Sequence, residues 1–133
     1  MKRFSEFLTE SELLIEMARV GFMNDLQVIV YTDDPGNIPH VHIVDKEFPH
    51  RFDCCVKLES PEYFDHGTHQ DHLNTSGRHR LNDFMNSKCK DSRYENNYDL
   101  AVSMWNLNNS DKTVELERYD DGRIIVPDYS TLR

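Results

Sequence analysis

An α+β fold is what this sequence predicts: a mainly antiparallel sheet of about five strands with about three helices packed on it, in a single domain over residues 1–133. Three observations carry that expectation. Strand-like and helix-like segments come in runs, in the order α-β-β-β-loop-α-α-β-β, rather than in the alternation that builds parallel sheets. Asp121-Gly122, set between two apolar stretches, is a short-range hairpin signal. No internal repeat, low-complexity tract or linker divides the 133 residues, a length suited to one buried core.

The first element expected is a helix over about residues 10–20, where Thr9 and Glu12 make a capping box and Leu8 and Leu13 a hydrophobic staple. Leu13, Leu14, Met17, Ala18 and Val20 give it an apolar stripe, and Gly21 stands where it would end. Residues 26–31 (LQVIVY) are apolar on both faces, as in a central strand. Asp34-Pro35-Gly36-Asn37 fits a type II turn, and residues 38–44 (IPHVHIV) follow as the hairpin partner. Pro39 has no N–H to give, which points to an edge strand or to a strand's first residues. Residues 51–58 form a third strand, with Phe52, Cys54, Val56 and Leu58 on one face and Arg51, Asp53, Cys55 and Lys57 on the other.

Apolar periodicity lapses over 59–76, and so long an irregular connection is expected to be functional or mobile. A helix is predicted to begin after Thr75 or Ser76 and to bury Leu81, Phe84 and Met85. It opens the one basic region, Arg78, Arg80, Lys88, Lys90 and Arg93, which Asp83 and Asp91 dilute. Asn96 or Asn97 caps another helix carrying Leu100, Ala101, Val102, Met104, Trp105 and Leu107, where the lone tryptophan belongs to the core. Residues 114–119 and 124–126 are the last two strands expected.

Net charge is −9, from 24 acidic and 15 basic residues, with 38% hydrophobic residues. Nucleic-acid affinity rests on neutralising phosphates, so this balance disfavours a nucleic-acid partner while leaving the basic stretch open to one. No run approaches the about 18 apolar residues of a membrane span, and the N-terminus turns acidic before any signal-peptide core forms. The three cysteines, Cys54, Cys55 and Cys89, lack CxxC spacing, which suits reduced thiols in a cytoplasm. Cys54 and Cys55 read as small strand residues.

All seven histidines fall between positions 40 and 79. His40 and His42 would project from one strand face roughly 6.6 Å apart, a spacing from which two imidazoles can converge on one ion or flank one phosphate. A third ligand is sought among His50, Asp53, His66, His69 and His72. Imidazole with carboxylate suits a divalent transition metal, zinc, iron, nickel or manganese. Without a metal, His40 and His42, or His42 with His66, could serve as general acid and base on a phosphodiester, with Arg78 or Arg80 holding the phosphate. The plainer alternative makes them half-buried strand residues satisfied by carboxylates. Strand register decides: beside Phe52, Cys54 and Val56 the histidines are core, and beside Asp53, Cys55 and Lys57 they line a polar face where Asp53 can orient an imidazole. The polar face is the expected one.

From Leu26 to Phe84, about half its length, the chain resembles a family of small bacterial proteins of unknown function. Their shared pattern is a strand, a turn, a Pro-x-His-x-His strand, another strand and a helix, matched here by Pro39, His40 and His42. The resemblance implies a compact α+β fold and a small partner protein, sometimes described as toxin–antitoxin-like, and supplies no catalytic mechanism. The capped N-terminal helix, the histidine-rich connection and the Asp-Gly hairpin depart from the family. The expected function is thus an interaction or accessory module working with a small protein partner. The alternatives are a histidine-dependent phosphodiesterase or nuclease, with or without a metal, and a small-ligand binder with its pocket between the histidine strand and residues 66–72.

Overall fold

The computed structural model describes residues 17–31 and 38–133, with the backbone alone at 17 and 18. Its centre is a four-stranded antiparallel sheet in sequence order: β1 (Met17–Met23), β2 (Leu26–Tyr31), β3 (His40–Asp45) and β4 (Asp53–Lys57). Two helices follow, α1 (Thr75–Asn86) and α2 (Asn97–Asn108). Among the described residues no helix is long and apolar enough to cross a membrane. The α+β class with an antiparallel sheet is as expected; among the described residues the numbers of strands and helices are four and two rather than about five and three.

The first correction concerns the N-terminal helix. Residues 17–20, expected to be its last turn, lie in β1, while residues 9–16 fall outside the described part. The register of β1 against β2 shifts between Arg19 and Gly21, and the irregularity interrupts the strict alternation by which a strand is recognised. Gly21 does not end a helix. A Cβ there would stand 2.9 Å from two Phe84 ring atoms, so the missing side chain lets α1 approach β1. Asn24, at φ 55°, then turns the chain into β2.

The second correction concerns the C-terminus, where two strands were expected. One bridge, Arg118 to Ile124, and a turn at Gly122 (φ 93°) form, but no strand. Two backbone bonds flank that bridge, from Tyr119 N–H to the Arg123 carbonyl and from Ile125 N–H to the Glu117 carbonyl. In this register the N–H groups of Val114 and Ile124 face away from the partner segment, toward side chains of α2 and its approach. Asn106 Oδ1 accepts from the Val114 N–H and the Glu95 carboxylate from that of Ile124, both at 2.8–2.9 Å.

Elsewhere the elements stand where expected. β2 is interior, and β3 lies between β2 and β4, so Pro39 precedes a central strand instead of marking an edge. The Asp34–Asn37 turn lies outside the described residues. Asn74 caps α1 by accepting from the Gly77 N–H at 2.7 Å, one residue earlier than expected, and Asn96 caps α2. Val28, Val30, Val41, Ile43, Cys54 and Val56 meet Leu81, Met85, Ala101, Val102 and Trp105 in one apolar core. The C-terminus closes it: buried Tyr129 donates its hydroxyl to the Lys57 carbonyl at 2.8 Å, and Tyr98 donates to that of Leu58 at 2.6 Å.

Strand alternation sends Gln27, Ile29, His40, His42, Val44 and Cys55 to the other face, and all of these are buried too. Residues 59–72 close part of it. They run first along β4, through the Val56–Tyr63 bridge and a bond from the Phe64 N–H to the Cys55 carbonyl, then turn at Gly67.

Candidate metal centre

Two short backbone devices build the centre. β3 puts His40 and His42 two residues apart on one face, with ring centroids 5.1 Å apart. In the 59–72 connection, His66 and His69 exchange both backbone hydrogen bonds across a two-residue turn, so their rings also share a side, 4.7 Å apart. Gly67 makes that turn possible at φ 54°. The pairs then meet, with His40 and His66 at 5.3 Å and His42 and His69 at 4.8 Å.

Register adds β4. His40 lies opposite Lys57, His42 opposite Cys55, and Val44 opposite Asp53, so the histidines share the polar face as expected. That face is not open to solvent: His40 and His42 are each 1% exposed. Tyr31, Phe64 and Trp105 rings stand around them, the last reaching from α2 to within 5.4 Å of His40. Cys55 places its Sγ 3.1 Å from Nδ1 and 3.6 Å from Nε2 of His42.

The hydrogen bonds settle which nitrogen each ring can offer. His40 Nδ1 lies 2.7 Å from the Ile38 carbonyl and His66 Nδ1 2.9 Å from that of Phe64. A carbonyl only accepts, so both rings carry their proton on Nδ1, and the ligand atom of the neutral ring is Nε2. His42 Nδ1 lies 3.3 Å from Asp53 Oδ1, and His69 Nδ1 lies 2.5 Å from Oδ2 of the same carboxylate. Burial pushes the Asp53 carboxyl up, but the hydrogen bonds from His42 and His69 and the charge of both rings outweigh it and hold it below the ordinary carboxylate value.

Ligand atoms of His40, His42, Cys55 and His66 lie within 4.8 Å of one another, and so do those of His42, Asp53, Cys55 and His69. A tetrahedral zinc with bonds of about 2.0–2.3 Å has ligand–ligand edges of about 3.3–3.8 Å, so either set would have to draw in by about 1 Å to hold an ion. Carbonyl- and carboxylate-anchored imidazoles are the usual support of a metal-binding histidine.

No family model, curated protein or solved structure matches this chain.

Of the expected site residues, the structure gathers His40, His42, His66 and His69. His72 turns away, stacked on Tyr63 at 3.8 Å and paired with Asp65 at 2.9 Å, and His50 is exposed beside Phe48. Arg78 caps local backbone and side chain, donating to the Leu73 carbonyl and Thr75 Oγ1. Arg80 lines a groove with Phe22, Met23, Asn24, Asp83 and Phe84. Sequence reasoning missed Cys55. Its one signal was a place two residues from Asp53, on the strand face expected to meet His42. Cys54, one residue away, points into the apolar core, where burial, then the charges of Asp65, Asp53 and Asp71, push its thiol up to about 12.

Proposed function

We propose that this chain is an accessory domain built around a closed divalent transition-metal centre, best suited to zinc, with Nε2 of His40, His42 and His66 and Sγ of Cys55 as ligands. One observation carries the reading: three imidazoles, each anchored through Nδ1, bring ligand atoms within 4.8 Å of one another and of the Cys55 sulfur on a buried sheet face. Four protein ligands without an open position are the mark of a structural zinc site, whereas hydrolytic sites keep one position for water. In this reading the ion locks the 59–72 connection onto the sheet, and the surface so fixed is what a small protein partner would meet.

The experiment is elemental analysis of protein purified after growth with added zinc. One ion per chain is expected, and less than a tenth of that in the His40→Ala and His66→Ala variants. A metal-free wild type after supplementation would sink the proposal. The hydrolase reading has one observation in its favour, the Asp53–His69 pair, 15% and 29% exposed, which has the form of an oriented general base. Turnover of a phosphodiester substrate by the wild type, abolished in a His69→Ala variant that still holds its metal, would decide for it. The closed-centre reading expects no turnover.

A further inference from the structure

Two ligand sets share the centre, and they differ in depth. His42 and Cys55 belong to both. The inner set adds His40, 1% exposed, and His66, whose ring is half-buried but whose Nε2 is buried; the outer set adds Asp53 and His69, 15% and 29% exposed. Around the inner set stand the rings of Tyr31, against His42, and of Phe64 and Trp105, against His40. The exposed edge of the cluster is at Asp53 and His69. Resting on the metal reading above, we propose that Asp53 and His69, with His42 and Cys55, form a transient loading station through which a divalent transition ion reaches the inner set.

The geometry suits a relay. Cys55 Sγ lies 3.1 Å from His42 Nδ1, on the outer side, and 3.6 Å from Nε2, on the inner side, so one thiolate can stay bound while the ion passes from one set to the other. The anionic Asp53 attracts a dication that still carries water, and carboxylate oxygen accepts such an ion more readily than a dry imidazole cage does. Outer binding releases the Nδ1 protons of His42 and His69 and the Cys55 thiol proton to water. As the ion moves inward His42 gives up its Nε2 proton and water returns a proton to each Nδ1, so Asp53 regains its bonds to both rings and orients His42 for the inner set. The same carboxylate thus acts in turn as a passing ligand and as a positioning residue.

The test is stopped-flow loading of cobalt(II) into apo full-length protein, read by the thiolate-to-cobalt absorption band. The variants are His69→Ala and, keeping a polar side chain of similar reach, His69→Gln. We expect loading at least tenfold slower in both, with one cobalt per chain and a final spectrum equal to that of the wild type. Wild-type loading rates in both variants would overturn the loading station and leave the inner centre standing. A changed final spectrum or a lost ion would also overturn it, by making His69 a permanent ligand. A wild-type chain that takes up no cobalt overturns the metal reading itself, and this inference with it.

Discussion

Asp53→Asn tests the centre through an atom that does not ligate the resting ion. The carboxylate accepts from two rings at once, one oxygen for Nδ1 of His42 and the other for Nδ1 of His69. An amide of the same shape offers one acceptor and one donor. Its NH2 group must then face one ring's N–H. If that ring is His42, relief requires the proton to move to Nε2, the nitrogen that binds the ion. Losing such a supporting bond costs about 10–100-fold in metal affinity, or about 1.4–2.7 kcal/mol. The longer 3.3 Å bond to His42 places the expected loss nearer tenfold. Competition against a chelator of known zinc affinity, at neutral pH, measures it. Unchanged affinity would refute the orienting role, and total loss would make Asp53 a standing ligand and refute the assignment of the inner set.

Two further perturbations probe the body that carries the centre. Gly21→Ala pushes a methyl to 2.9 Å from the Phe84 ring and is expected to destabilise by about 1–3 kcal/mol in urea denaturation, with a smaller cost in a Phe84→Leu background. Equal costs in both backgrounds would show that Gly21 and Phe84 do not meet. Tyr98 gives an alkaline signature. Burial, then Glu59 and Glu117, push its hydroxyl up to about 12, so the fold favours the neutral form. That contribution is complete below the unfolded phenol's value of about 10 and is lost as pH rises toward 12, with an upper bound of about 2–3 kcal/mol. Urea midpoints measured from pH 8 to 11 should fall, and less steeply in Tyr98→Phe. Parallel slopes would contradict the assignment.

The interior of the fold was legible because its patterns were redundant. Residues 26–31 are apolar on both faces, and the structure buries Val28 and Val30 on one side and Ile29 on the other. Asn74 and Asn96 cap helices where local sequence said helices begin, within one residue. What failed was decided by tertiary partners. Met17 to Val20 fit a helical stripe, but an adjacent strand, an irregular register and a glycine beneath Phe84 make them an edge of the sheet. Residues 114–126 had strand composition, but their outward-facing N–H groups at Val114 and Ile124 are tied to Asn106 and Glu95, and the pairing between the two segments stays at one bridge. The centre was half readable. His40 and His42 announce themselves by alternation along β3, whereas His66 and His69 join them through a turn dictated by a left-handed glycine. Cys55 joins the histidine cluster only through the register of β3 with β4, which no local pattern specifies.

In the proposed centre three imidazoles and the Cys55 thiolate hold one divalent ion. Cobalt(II) substitution reads that arrangement, because ligand-field bands report coordination number and a charge-transfer band reports a thiolate. One cobalt per chain is expected, with the intense visible bands of a tetrahedral site and loss of the charge-transfer band in Cys55→Ser but not in Cys54→Ser. A weak octahedral spectrum, or a charge-transfer band that survives Cys55→Ser, would contradict it.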